Sequence, residues 1–339
     1  MKKIIKIILL ASFVLILGAC GKKEVKKSLT VYSGLEEEYL GNYVEIFKKD
    51  FPDIELNIVR DSQGAIAAKL IAEGKNPQAD ILWGMASINL IQLANNKSLY
   101  EIDSKLLENI DSKFIDKINL KPYWVGMTAW TSALTINKYE IEKRNIKVPE
   151  SYKELLNSKF NKEIVMPNPA SSGTGYLTIL GWIATMGEKQ AWEYMDALNK
   201  NINQYTHSGS APVKMTMQGE QLIGIGMDSE SFRLGKMNHS IITVLPDEGY
   251  GWDMEGIALV NKQNIKPEAI EFIKWAISKK MMEEYSKNIG LVSYKGVHTK
   301  LDGYPVDFEE KLAKIDFKWA AENRDRILKE WEKRYGKGE

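Results

Sequence analysis

The sequence predicts an α/β protein in which strands and helices alternate along the chain and form a mainly parallel sheet divided between two lobes. Short apolar segments are each followed by a longer segment whose apolar residues recur at helical spacing, and this order is typical of βαβ units. The chain has 339 residues, of which the first 19 are assigned below to a leader. A single hydrophobic core stops growing near about 250–300 residues, so the remaining body is expected to have two lobes.

The N-terminal part of the body begins with this alternation. Leu29–Tyr32 is predicted as a strand, and Ser33 with Glu36 forms a candidate capping box for the helix that follows. That helix is predicted from the spacing of Tyr39, Leu40, Tyr43, Val44 and Phe47. Further strands are expected over 54–61 and 79–84, with helices over 65–74 and 85–96.

The rest of the chain repeats the same order. The predicted strands cover residues 163–169, 221–229, 241–249 and 256–260, and the predicted helices cover 175–187, 190–202, 267–287 and one or two segments within 307–336. We expect lobe 1 over 28–130 with part of 250–339, lobe 2 over 131–249, and a crossover with C-terminal helices over 250–339. The chain is expected to pass between the lobes near Ala129–Thr135 and again near Asp247–Gly256.

The first twenty residues have the features of a lipoprotein leader. Three lysines precede the apolar run Ile7–Leu17, and the small residues Gly18 and Ala19 come directly before Cys20, the one cysteine of the chain. A basic start, a short apolar run and small residues at the cleavage site are typical of a secretory signal peptide, and the cysteine makes the site resemble a bacterial lipobox. A membrane-spanning anchor is the alternative, but the run is shorter than the roughly 20 residues that a bilayer requires. We therefore predict a signal peptide over 1–19, lipid on Cys20 and a charged tether over 20–27.

Composition and motifs exclude several classes of function. Formal net charge is +1, and removal of the leader's three lysines makes the body slightly acidic, so there is no basic footprint for nucleic acid. Once Cys20 carries lipid, no cysteine remains for a disulfide or a thiolate metal site. The three histidines are far apart, and neither a Gly-x-Ser-x-Gly elbow nor a phosphate-loop lysine motif is present. We expect a monomer outside the cytoplasm that contacts the membrane through the lipid alone, with no cofactor and no enzymatic activity.

Small and hydroxyl-bearing residues follow most of the predicted strands, where ligands bind in open parallel sheets. Many of them begin a helix, whose free N–H groups and partial positive charge suit an anion. The alternative is that they serve only as caps and turn residues. The candidates for ligand binding are Ser33, Gly34, Ser62, Gln63, Trp83, Ser171, Ser172, Gly173 and Thr174.

Three further residues are candidates for the rest of a ligand. His207 lies in a polar loop and could contact an oxyanion or a hydroxyl group, or it could be structural. Asp228 follows a buried strand and could accept hydrogen bonds from an ammonium or hydroxyl group, or it could lie in a solvated turn. Trp252, between glycines and Asp253, is the tryptophan expected to line a cleft.

Four stretches of the sequence resemble one known family. They are "DSQGAIAAKLIAEGKNPQADILWGMA", "MPNPASSGTGYLTILGW", "YMDALNKNINQYTHSGS" and "EGYGWDMEGIALV", and they resemble the solute-binding proteins of ABC importers for 2-aminoethylphosphonate and sugar phosphates, within a group that includes ferric-iron binders. The resemblance implies a two-lobed type II periplasmic-binding fold with a ligand cleft between the lobes. It also implies that Ser33, Ser62, Ser172, Gly173 and Thr174 hold an oxyanion while His207 and Asp228 hold the rest of the ligand.

The sequence thus predicts a lipid-anchored binding protein that delivers a small anionic compound, a phosphonate or a sugar phosphate, to an ABC permease and its ATPase. Two alternatives stay open. Ferric iron prefers anionic oxygen ligands, which Asp228 and Glu230 could supply, although the iron binders' adjacent tyrosines are missing after the strand that precedes Asp228. A more remote alternative is an extracytoplasmic phosphate-ester hydrolase.

Overall fold

A computed structural model describes residues 27–299 and 302–336, so the predicted signal peptide and Cys20 lie outside the described residues. The strands are β1 (Lys27–Ser33), β2 (Ile54–Arg60), β3 (Ile81–Ala86), β4 (Leu99–Tyr100), β5 (Trp124–Asn137), β6 (Ile164–Pro167), β7 (Ile202–Thr206), β8 (Ile223–Met227), β9 (Ile241–Val244), β10 (Trp252–Val260) and β11 (Leu291–Val292). The helices are α1 (Glu37–Asp50), α2 (Gln63–Glu73), α3 (Ser87–Asn95), α4 (Lys138–Lys143), α5 (Gly173–Met186), α6 (Glu188–Leu198), α7 (Ala211–Gln218), α8 (Asp228–Met237), α9 (Pro267–Ala276), α10 (Lys279–Tyr285), α11 (Phe317–Glu322) and α12 (Arg324–Tyr335).

The strands form one continuous sheet with the order β2-β1-β3-β10-β5-β8-β6-β7, to which β4, β9 and β11 are added at the side. We call the half from β2 to the first part of β5 lobe 1, and the half from the second part of β5 to β7 lobe 2. β5 joins them, because Trp124–Thr131 pairs with β10 and Ser132–Asn137 pairs with β8 and β9. Because β5 belongs to both halves, no single residue divides the lobes. The lobe boundaries expected from the sequence therefore stay a prediction.

The expectation of a mainly parallel sheet was wrong for its centre. β1 is parallel to β2 and β3, and β6 is parallel to β7 and β8, as the βαβ pattern predicted. β5 and β10, however, run antiparallel to their neighbours. The alternation of strand-like and helix-like segments predicts only local βαβ units. The direction of β10 is set by its pairing with β3 and β5, which lie far from it in the sequence.

β5 is the longest strand, whereas the sequence predicts only a crossover near Ala129–Thr135. All 14 of its residues are buried, so it lacks the alternation of exposed and buried residues that marks a half-exposed strand. A strand that is covered on both faces has a nearly continuous apolar sequence, and periodicity cannot identify it.

Large aromatic residues fill the core of each lobe. In lobe 1, Trp83 is fully buried and its ring packs within 6.1 Å of Tyr43, Phe272 and Trp275. In lobe 2, Tyr152 and Trp182 pack edge to face with centroids 5.7 Å apart. These cores hold the loops at the carboxyl ends of the parallel strands in fixed positions.

Helices lie where the sequence predicts them, except that the predicted helix over 267–287 is divided into α9 and α10. The predicted capping box is not present. Ser33 is the last residue of β1, and its hydroxyl accepts a hydrogen bond from the amide of Leu35 at 3.3 Å. Glu36 itself is the residue before α1, with no side-chain cap. The strand continued one residue further than predicted, which left Ser33 too far from the helix and freed the Glu36 side chain for contacts elsewhere.

The C-terminal helices contact both lobes. α11 lies against α3 of lobe 1, where Gln92 donates a hydrogen bond to the carbonyl of Ala321. α12 lies on lobe 2, where Arg326 and Arg334 form ion pairs with Glu188 and Asp196. In the described parts of the chain, none of the helices combines the length and the hydrophobicity needed to cross a bilayer.

Candidate functional site

A small polar pocket lies where the two lobes meet, at the carboxyl ends of β1 and β2 in lobe 1 and at the start of α5 in lobe 2. Its volume is about 20 Å³, which is little more than the space for one water molecule. The residues around it are Gly34, Glu36, Arg60, Ser62, Gln63, Trp130, Ser172, Gly173, Thr174, Ser208, Gly209, Met227 and Glu255. The lobes are thus closed against each other, and they have to separate before a phosphate-sized solute can enter.

Two helix N-termini meet at this pocket from opposite lobes. α2 begins after Ser62 in lobe 1, and α5 begins after Ser172 in lobe 2. The first amides of a helix have no partner inside the helix and carry partial positive charge. In α5 the Ser172 hydroxyl accepts from the amide of Gly175, at 3.3 Å, so this serine is a cap as well as a pocket residue.

The lobes touch through backbone at the same place. The amide of Gly64 donates to the carbonyl of Ser171 across the lobe boundary, at 3.1 Å. A Cβ at position 64 would lie 2.4 Å from the carbonyl oxygen of Ala170 and 2.8 Å from that of Ser171. Only glycine therefore permits this approach of α2 to the loop before α5.

Arg60 supplies the cationic side chain of the pocket. Its Nε donates to the carbonyl of Leu35 at 3.0 Å, and its Nη2 donates to Glu36 at 3.1 Å. These bonds use two of the five N–H groups of a guanidinium. The remaining donors are available to an anion at the helix N-termini.

Two buried carboxyl groups line the same pocket. Glu255 lies in β10 at an irregular register between β3 and β5, and such bulges re-aim side chains next to binding sites. Burial raises the pKa of Glu255 to about 8, and the hydrogen bond from Thr128 lowers it only in part. Burial also raises the pKa of Glu36, which Arg60 opposes. Carboxyl oxygens here are suited to accept hydrogen bonds from the hydroxyl or ammonium groups of a ligand.

Polar contacts between the lobes surround the pocket. His207 Nε2 lies 3.0 Å from Asp61 Oδ1, and this hydrogen bond lowers the pKa of Asp61. The His207 carbonyl accepts from the hydroxyls of Ser62 and Ser171, at 3.3 and 2.9 Å. Further out, Lys214 of lobe 2 forms an ion pair with Glu38 of lobe 1.

The structure brings several of the predicted site residues together. Gly34, Ser62, Gln63, Ser172, Gly173 and Thr174 line the pocket. Thr174 also accepts a hydrogen bond from the indole of Trp130 at 3.1 Å. Ser171 and His207 lie at the rim, where they join the lobes.

Other predicted site residues lie away from the pocket. Ser33 caps the turn after β1, and Trp83 belongs to the core of lobe 1. Trp252 donates to the carbonyl of Ala313 and packs against the Phe317 ring. Asp228 is fully buried behind Met227 and accepts from the amide of Thr131 and the hydroxyl of Tyr304.

The residues proposed for an iron site have other partners. Glu230 forms a two-point ion pair with Arg233, at 2.7 and 2.8 Å, and is fully buried. Asp228 has the two donors just described, although burial raises its pKa to about 6. Within 27–299 and 302–336, no group of three or more His, Cys, Asp and Glu residues is arranged to hold a metal ion.

Sequence reasoning missed Glu36, Arg60 and Glu255 as pocket residues. A signal was available for each. Arg60 ends a strand two residues before Ser62, and Glu36 follows the first strand as a helix begins. Glu255 is an ionisable residue next to an otherwise apolar strand segment, and buried carboxyl groups of this kind are often functional.

Comparison with known proteins places the chain in a family. The model for bacterial extracellular solute-binding proteins matches residues 42–295, three quarters of the sequence. The chain belongs to this family. Its members are binding proteins, not enzymes, that capture a small ligand outside the cytoplasm for an ABC transporter, so the hydrolase alternative is dropped.

Individual relatives support the same conclusion. An uncharacterised protein of Haemophilus influenzae is 27% identical over 323 residues, covering 93% of this chain and 92% of that protein. The periplasmic binding protein AfuA of Actinobacillus pleuropneumoniae, solved with fructose-6-phosphate bound, is 25% identical, with a TM-score of 0.86 over 92% of this chain and all of that one. The apo ferric ion-binding protein A of Pasteurella haemolytica, at 18% identity, covers 91% of this chain and 98% of its own with a TM-score of 0.72 and shares the fold. The type II periplasmic-binding fold of the solute-binding family is thereby established for this chain.

Proposed function

We propose that this solute-binding protein captures a small phosphorylated or phosphonate compound, and that a lipid on Cys20 anchors it to a membrane as a monomer. The observation that carries the proposal is the polarity of the pocket. The pocket is lined by helix N-termini from both lobes, by the Arg60 guanidinium with its partner Glu36, and by the buried carboxyl group of Glu255. A ligand with an oxyanion at one end and hydroxyl or ammonium groups at the other matches this arrangement.

A sugar phosphate is the ligand that we place first. Carboxyl oxygens accept hydrogen bonds from sugar hydroxyls, and the similar AfuA was solved with fructose-6-phosphate. 2-Aminoethylphosphonate is the second candidate, because its ammonium group would pair with an ionised Glu36 or Glu255. Both ligands use the same oxyanion position at Ser62 and Ser172–Thr174.

A thermal-shift screen tests the proposal on the mature chain with Cys20→Ser. The panel contains fructose-6-phosphate, fructose, 2-aminoethylphosphonate, orthophosphate and ferric citrate. A ligand at 100 times its dissociation constant stabilises the folded state by about 2.7 kcal/mol. We expect a rise in melting temperature with a phosphorylated or phosphonate compound and none with fructose. A rise with ferric citrate alone would contradict the proposal and favour iron.

A paired variant tests the position of the oxyanion. Ser172→Ala with Thr174→Ala removes two hydroxyl donors, and loss of hydrogen bonds to a charged group costs about 1.5–3 kcal/mol each. We expect the affinity for the phosphorylated ligand to fall at least tenfold by titration calorimetry. Thr185→Ala, which removes a hydroxyl bonded only within α5, is the control and should bind normally.

A further inference from the structure

A second concave surface lies at the end of lobe 1 that is remote from the ligand pocket. It has a volume of about 670 Å³, and its charged lining residues are Lys75, Lys97 and Lys262, with no carboxylate among the lining residues. Polar groups of Asn96, Ser98 and Asn261 complete it. We call it the basal pocket.

The basal pocket lies beside the start of the described chain. Lys262 donates to Asp80, whose other carboxylate oxygen accepts from the amide of Thr30 in β1. Lys266 donates to the same Asp80 and to the carbonyl of Ser28. The ligand pocket adjoins the other end of β1, at Gly34, which lies roughly 13 Å along the strand from Thr30.

Two of the lysines are not neutralised by the protein. Asp80 is 5% exposed and is already paired with Lys262 and Lys266. Lys75 and Lys97 are exposed and form no ion pair within the described residues. Their charges are therefore open to an anion outside the protein.

The segment that leads into this end of the molecule is also basic. Lys22, Lys23 and Lys26 accompany one carboxylate, Glu24, between Cys20 and β1. At full extension these few residues span roughly 25 Å. If Cys20 carries lipid, as proposed above, the start of β1 remains within that distance of the membrane surface, and the basal pocket adjoins this strand through Asp80.

We propose that the basal pocket is a docking surface for anionic phospholipid headgroups, which holds the base of lobe 1 against the membrane. The body as a whole is slightly acidic, and Lys75 and Lys97 are exposed cations without an ion pair among the described residues at this end of lobe 1. Each lysine adds only a weak attraction to an anionic surface. The tether makes such attractions effective, because it keeps the local concentration of headgroups high. The cleft end of lobe 1 would then face away from the lipid.

Vesicle co-sedimentation of the unlipidated mature chain, with Cys20→Ser, tests the proposal. We expect several-fold more protein on vesicles of equal parts phosphatidylglycerol and phosphatidylcholine than on phosphatidylcholine alone, and loss of this excess at high salt. Lys75→Glu with Lys97→Glu should remove most of the excess. Lys159→Glu with Lys200→Glu makes the same charge change at exposed positions of lobe 2 and should leave it.

Three results would overturn the proposal. They are equal binding to both kinds of vesicle, equal losses in the two double variants, and full binding by the Lys75→Glu, Lys97→Glu variant, which would assign the attraction to the tether. Orthophosphate tests whether the basal pocket binds a soluble anion and not a lipid headgroup. A thermal shift with orthophosphate that is present in the native chain and absent in the Lys75→Glu, Lys97→Glu variant would assign the pocket to free phosphate instead. The thermal shift with fructose-6-phosphate should be the same in all variants, so failure here is distinct from failure of the proposed ligand.

Discussion

Glu255 couples the ligand pocket to pH. Its pKa is about 8 in the folded protein because of burial, whereas an exposed glutamate titrates near 4.5. Between these two values the folded state binds more protons than the unfolded state, so the free energy of unfolding falls as pH rises through this window. Glu36, Asp228 and Asp253, whose pKa values burial also raises, contribute in the same direction.

Glu255→Gln should remove its share of this dependence. We expect the variant and the native chain to have similar stability near pH 5, and the variant to be more stable by at least about 1 kcal/mol near pH 8.5. Urea unfolding followed by tryptophan fluorescence measures both. Glu45→Gln, on an exposed position of α1, should show no such difference. If the free energies of unfolding of Glu255→Gln and the native chain differed by the same amount at every pH, the raised pKa of Glu255 would be refuted.

The position of a single residue could be predicted where it depends on neighbouring residues alone, although its part in ligand binding stays a prediction. Ser172, Gly173 and Thr174 follow a strand and begin a helix, and both facts are local. Trp252 and Asp228 could not be placed in the same way, because their surroundings come from the segment around Tyr304–Ala313. No spacing in the sequence reports that contact.

At the level of elements, α1 and α7 meet across the cleft through Glu38 and Lys214. Their side chains are 30% and 37% exposed, and pairs of this kind contribute about 0.2–1 kcal/mol. Glu38→Lys should weaken ligand binding by about two- to fivefold, because like charges oppose closure. The exchange Glu38→Lys with Lys214→Glu should restore it, as titration calorimetry of the native chain and the two variants would show. Equal affinities throughout would mean that this ion pair has no part in closure.

The helices and the outer strands were predictable because each has a characteristic spacing of apolar residues and a local sequence signal where it ends. α2, for example, ends at Gly74, whose φ is +57° and favours glycine. β5 and the direction of β10 were not predictable. Both lie at the centre of the sheet, where burial of both faces removes the alternation of exposed and buried residues and the partner comes from a distant part of the chain.

For the whole molecule, closure depends on the backbone contact at Gly64. Gly64→Ala should keep both lobes folded, since alanine suits a helix, but its methyl group would meet the carbonyls of Ala170 and Ser171. We expect a larger radius of gyration than the native chain with ligand bound, and at least tenfold weaker binding. Gly41→Ala, where the added carbon meets nothing within 4 Å, is the control. Native scattering and affinity in Gly64→Ala would show that the lobes close without this contact.

The position of β10 also affects the order in which the protein can fold. β10 lies between β3 and β5 in lobe 1, yet it is formed by residues 252–260. A chain that leaves the ribosome, or enters an export channel, with its N-terminus first cannot complete lobe 1 until residue 260 has followed. Pairing between distant segments is slow, so lobe 1 stays incomplete for most of the synthesis of the chain. In a chain that is exported N-terminus first, lobe 1 can therefore be completed only after most of the chain has passed the channel.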